Sequence, residues 1–222
     1  MKRLIYLIFA LATLFVSSCD LIDDLKEDEN ELNGETDIPL NRTGNTFSTV
    51  CYINGTYADV NTSIEITEST GGIVRMAISA DLDSVPELSR FNDLIPEEFK
   101  NAQGQINVEA KAKITSEGFQ DFTNVDGSAF TLVKYDGKVG DTYKLKKSDG
   151  NTITRTITQK STEDDFSYGF YLIKTITVEQ DSRIPGIEKI IYKFNHKFGL
   201  VHVEVVADDG SSVGSLIYPS DY

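Results

Sequence analysis

The chain has 222 residues, 40% hydrophobic and 25% charged, with 35 acids against 21 bases and a formal net charge of −14. That length suits one moderate globular domain or two small ones, able to bury a core without disulfide or metal staples. So acidic a surface repels phosphate backbones, which argues against nucleic acid as a partner.

Lys2 and Arg3 precede an uncharged apolar run from Leu4 to Val16, and the small pair Ser17 and Ser18 follows. That order reads as a secretion signal over residues 1–18. The run is shorter than the roughly 20 apolar residues that cross a bilayer. A buried core helix would not begin behind two bases and end in an acidic tract.

The stretch Val16-Ser17-Ser18-Cys19 resembles the lipobox of bacterial lipoproteins, an aliphatic residue and two small ones before a cysteine. The resemblance implies cleavage before Cys19, diacylglycerol on its thiol and an acyl chain such as palmitate on its amine. Several acyl chains, each gaining about 0.8 kcal/mol per buried CH₂, make a stable anchor where one chain would be marginal.

Nine acids and one base occupy residues 20–37. Such a tract buries too little apolar surface to fold, so residues 19–44 are expected to form a disordered acidic tether. Acids just after the cysteine also resemble the export signal of Bacteroidetes-type surface lipoproteins. This implies an outer-membrane anchor with the domain exposed at the cell surface, a periplasm-facing domain being the alternative. Removing residues 1–18 leaves 19 bases against 35 acids, a net charge of −16.

From residue 45 onward the pattern changes to period two. In INVEAKAKI (106–114), Ile106, Val108, Ala110, Ala112 and Ile114 share one face and Asn107, Glu109, Lys111 and Lys113 the other. That alternation predicts a strand with one wet side. Residues 47–53, 56–67, 73–80, 129–135, 141–147, 151–159, 171–180, 187–195, 200–208 and 213–218 read as further strands. Asn54-Gly55, Asp126-Gly127, Asp136-Gly137, Asp149-Gly150 and Asp209-Gly210 supply turns that tolerate positive φ. None of these pairs carries the ligand ladder of a calcium loop. No proline interrupts a predicted strand. Pro96-Glu97-Glu98 with Gly104 suits a helix start and stop, so one or two short helices are expected near 84–103, covering an end or edge of the sheet.

The prediction is an all-β fold, an antiparallel meander closed as a sandwich, a barrel or a curved half-barrel. Residues 45–222 are expected to form one domain, and the broken pattern at 116–128 marks the place where it would split. KVGDTYKLKKSDGNTITRTI (138–157) and YKFNHKFGLVHVEV (192–205) resemble a "VGD…GLV" pattern of bacterial lipoproteins, which implies a curved antiparallel sheet and no particular activity.

Chemical motifs are sparse. The chain shows no phosphate-binding glycine loop, paired Cys-x-x-Cys, His-Glu-x-x-His or nucleophile elbow, so no catalytic residue, metal site or cofactor is predicted. If Cys19 carries lipid, Cys51 is a lone thiol expected to be buried and inert. His202 and Glu204 share a strand face, read as a solvent-facing polar pair rather than metal ligands, since a catalytic zinc needs three. Glu97 and Glu98 read as helix-start acids rather than a glycosidase pair. Phe166, Tyr168 and Phe170 read as core packing rather than a sugar platform. The expected function is a non-catalytic binding or structural domain, with glycan, protein or lipid as candidate ligands. A tethered hydrolase acting on polysaccharide is the alternative. A lipid carrier would need an apolar concave face.

Overall fold

A computed structural model describes residues 30–82, 85, 88, 97–124, 126–181 and 184–220. Fifteen strands account for most of them. In chain order they are β1 (Thr46–Ile53), β2 (Thr56–Ala58), β3 (Asn61–Thr70), β4 (Ile73–Asp81), β5 (Ile106–Thr115), β6 (Gly118–Asp121), β7 (Phe130–Lys134) and β8 (Thr142–Lys146). They continue as β9 (Thr152–Lys160), β10 (Phe166–Tyr168), β11 (Tyr171–Ile173), β12 (Ile176–Asp181), β13 (Ile187–Asn195), β14 (Gly199–Ala207) and β15 (Ser212–Pro219).

The strands form where alternation and turn chemistry agree. Asn54 (φ 50°) and Gly55 (φ 76°) close the tight β1–β2 hairpin, whose last pair is Ile53 with Thr56. In the region of the expected short helices, residues 97–99 make a single 3₁₀ turn, and the rest of 84–96 other than residues 85 and 88 lies outside the described residues. Residues 116–128 hold β6 and its flanking loops, so the sheet runs through the point of the proposed split.

Every pairing is antiparallel. One sheet runs β7-β6-β5-β4-β3-β1-β15-β14-β13-β12-β9-β8, with β2 added beside β1, and it curls until it is nearly a closed barrel. Two meanders meet at the β1–β15 pair, which runs from Phe47 opposite Pro219 to Ile53 opposite Val213. The two end strands, β7 and β8, are neighbours in sequence, and side chains stitch their seam. The Lys134 N–H donates to the Tyr143 hydroxyl at 3.1 Å. Asn30 bridges both edges, accepting from the Thr131 N–H at 2.9 Å and donating to the Lys144 carbonyl at 3.0 Å. Unpaired edges invite foreign strands, and these contacts satisfy part of them.

Residues 30–44 therefore belong to the folded body, which shortens the expected tether. Leu32, Leu40 and Asn41 are buried. Gly118 is required beneath Leu32, because a Cβ there would meet the Val133 carbonyl oxygen at 2.2 Å. Asn41 donates to the Ile114 carbonyl at 2.8 Å, and the Ser116 N–H donates to the Glu35 carbonyl at 2.9 Å. The segment thus crosses one end of the barrel. The physical reason is that Leu32, Ile38 and Leu40 supply apolar anchors within the acidic stretch, and the barrel end supplies matching surface. The expected signal 1–18, Cys19 and the rest of the expected tether to residue 29 lie outside the described residues.

Candidate functional site

The barrel interior is packed unevenly. Its filled part holds large side chains, with Phe119, Phe130 and Phe194 buried beside Ile157 and Val178. Phe119 and Phe194 have ring centroids 5.6 Å apart. Arg155 of β9 is also buried here, its guanidinium 3.9 Å from the Phe130 ring centroid. It donates from Nε to Gln180 at 2.6 Å, from Nη1 to the carbonyls of Phe130 and Thr131 on β7, and pairs through Nη2 with Asp121. Burial pushes the Asp121 carboxyl above its ordinary range, and Arg155 beside it opposes that rise. The same burial pushes the Tyr192 hydroxyl up to about 12.

The remaining interior, walled by β1, β3, β4, β5, β14 and β15, is a cavity of about 390 Å³. Alternation explains most of its lining, since inward positions fall at odd residues on β1 and β15 and at even ones on β3 to β5, with Ser79 the exception. Phe47, Ile64, Met76, Ile78, Ile106 and Val203 face the space but are only half-buried. Deeper in the same strands, Ile66 and Val74 are fully buried. Phe47 and Met76 pack on one side against the filled core and border the space on the other.

Among the described residues no lining side chain is charged, and Thr49, Thr62, Cys51 and Ser215 pair with one another. The Thr49 hydroxyl bonds that of Thr62, and the Cys51 thiol donates to the Ser215 hydroxyl at 3.8 Å. Such a wall offers methyl groups and few free polar atoms to an occupant. Leu40 and Phe198 bound the cavity toward the end that residues 35–41 cross. At the other end Leu82 and Leu88 reach it, Leu88 being almost fully buried in a cluster with Ile53, Val60, Val85 and Val213. That apolar plug lies in the segment expected to cover an end of the sheet.

The sequence-predicted residues scatter. Cys51 is free and buried, as expected, and it forms part of the cavity wall. His202 and Glu204 do share the outer face of β14, with Nε2 and Oε2 3.7 Å apart, but only Glu204 keeps substantial solvent contact, and His202 is largely covered. The β10–β11 hairpin covers His202, placing Phe166 at 6.2 Å between ring centroids, and burial lowers the imidazole pKa. Among the described residues no group of three or more His, Cys, Asp and Glu side chains is placed to hold a metal. Glu97 pairs with Lys100 at 2.7 Å, and His196 is exposed in the β13–β14 turn. Of the aromatic stretch, Tyr168 is buried and Phe166 packs beside it, while Phe170 stands fully exposed.

No sequence motif marks the cavity. Its signal is the run of small inward residues Thr49, Cys51, Thr62, Ala80 and Ser215, on strands whose inner faces otherwise alternate correctly. Small side chains facing one another across a barrel leave volume that aromatics fill elsewhere.

No protein-family model matches the chain, and no curated protein matches it. Among solved structures, it is similar to a protein of Bacteroides fragilis described as exported and YmcC-like in fold, with 10% identity and a TM-score of 0.44 over 80% of this chain and 95% of that one. It is also similar to a protein of Parabacteroides distasonis described as a lipoprotein, with 11% identity and a TM-score of 0.41 over 84% and 98% of the two chains.

Proposed function

We propose that the chain is a lipid-anchored envelope protein whose barrel binds the hydrocarbon part of an apolar ligand. The cavity carries this reading. Its volume of about 390 Å³ falls within the roughly 300–1,000 Å³ of small-molecule sites. A dry apolar cavity of about 150 Å³ already takes up benzene.

The uncharged lining selects hydrocarbon and leaves any ionised head group outside in water, because an unpaired charge taken inside would lose its hydration. Of the three ligand classes left open by the sequence, this favours lipid over glycan or protein. The basic start, apolar run, VSSC motif and acidic stretch support secretion and lipidation at Cys19, with an outer-membrane anchor and a surface-exposed barrel. Cys19→Ala is expected to abolish palmitate labelling and leave uncleaved precursor; persistent labelling contradicts the anchor. Added protease is expected to trim the protein on intact cells, and full protection would place the barrel on the periplasmic side. For the cavity, mass spectrometry of the folded protein released from membranes should find one lipid per chain, and protein that always emerges lipid-free would count against the reading.

A further inference from the structure

The hairpin β10–β11 ends in a second apolar feature, on the outside of the barrel. Phe170, Tyr171 and Leu172 follow one another at its tip and are 104%, 70% and 60% exposed. The hairpin is held firmly from below. The Tyr168 hydroxyl donates to the Ile217 carbonyl at 2.5 Å, and its ring lies 4.6 Å from that of Tyr218 and 5.2 Å from that of Phe198. Gly169 takes φ +60° and turns the chain outward directly after this anchor. Three large apolar side chains are therefore presented on a rigid support, and exposed apolar surface of this kind marks an interaction site.

We propose that this tip inserts into the surface of the bilayer that carries the chain's own lipid. The inference rests on the anchored reading above. Asn30 is eleven positions along the chain from Cys19, a reach of at most about 40 Å, so the anchor holds the barrel beside its membrane. Phe198 beneath the tip adjoins Gly199, against which Leu40 packs, so the hairpin borders the barrel end crossed by residues 35–41. Successive side chains of a strand point to opposite faces, so Tyr171 and Leu172 show apolar surface on both sides of the tip. A protein groove would cover one side, whereas a lipid surface surrounds a wedge. Glu163, Asp164 and Asp165 in the preceding loop are offset by Lys174 and Lys197 beside the hairpin, all exposed, so the contact depends chiefly on the apolar side chains of the tip.

The chain has no tryptophan, so Phe170→Trp installs a single reporter. The acylated full-length protein is reconstituted into vesicles of phosphatidylethanolamine and phosphatidylglycerol containing brominated lipid. A second variant, Tyr57→Trp, places the reporter on β2, toward the opposite end of the barrel. Blue-shifted emission and quenching severalfold stronger at position 170 than at 57 support the proposal. Equal or absent quenching in protein that floats with the vesicles overturns it while leaving the anchor standing. Protein that fails to float overturns the anchor and this proposal together. A blue shift that grows with protein concentration without lipid assigns the tip to a second copy of the chain, and also overturns it.

Discussion

Cys51 and Ser215 are direct partners across the β1–β15 pair, and the thiol donates to the hydroxyl at 3.8 Å within the cavity wall. Two small side chains meet where the two meanders join, at a position where larger ones would close the space. The cavity is therefore a property of residue size at a few inward positions, not of a break in the sheet.

Enlarging one of these residues should separate stability from binding. Ser215→Leu fills volume that has no packing partner, so it is expected to stabilise the fold by about 0.5–2 kcal/mol, a rise of roughly 2–4 °C in Tm per kcal/mol. The same change should weaken ligand uptake. Calorimetry with and without ligand reads both effects, and a drop in Tm typical of overpacking would show that the site is already filled.

Arg155 closes the barrel from inside. It occupies two carbonyls of the edge strand β7 and neutralises buried Asp121. Arg155→Met leaves that carboxylate without its partner and is expected to cost about 3–5 kcal/mol in urea unfolding. The double variant Arg155→Met with Asp121→Asn should recover part of the loss, because the orphaned charge is gone. A double variant that loses the sum of the two single effects would contradict the coupling.

His202 makes stability depend on pH in a defined direction. Its folded pKa lies below the unfolded value because burial under the hairpin disfavours the imidazolium. The unfolded chain therefore binds the proton first, and stability present above about pH 6.5 is lost as pH falls through the folded value. His202→Gln is expected to flatten the stability profile from pH 7 downward through that window. An unchanged slope in thermal scans would assign the dependence to other groups.

The strand pattern was legible because alternation and Asn-Gly or Asp-Gly turns act locally. Residues 187–195 were predicted as a strand, and β13 has those bounds. The short strands β6 and β10 were not separated out, since Gly118 and Gly169 interrupt the pattern and tertiary pairing alone holds these strands in place. The folding of residues 30–44 was hidden by their charge, because Leu32 and Leu40 are too widely spaced to show a period, and the surface that receives them is assembled from distant strands. Cys51 was read correctly as buried. That it faces open volume depends on Thr62, Ala80 and Ser215 from other strands, a relationship no single-strand pattern contains.

The most direct test of the account is a titration of the folded protein with a neutral apolar fluorophore, N-phenyl-1-naphthylamine. Saturable uptake of one probe per chain is expected, with competition by a long-chain alcohol and loss of uptake in an Ile64→Trp variant that fills the cavity. Absence of saturable uptake, or uptake unchanged in that variant, would contradict the claim that this barrel holds a hydrocarbon ligand.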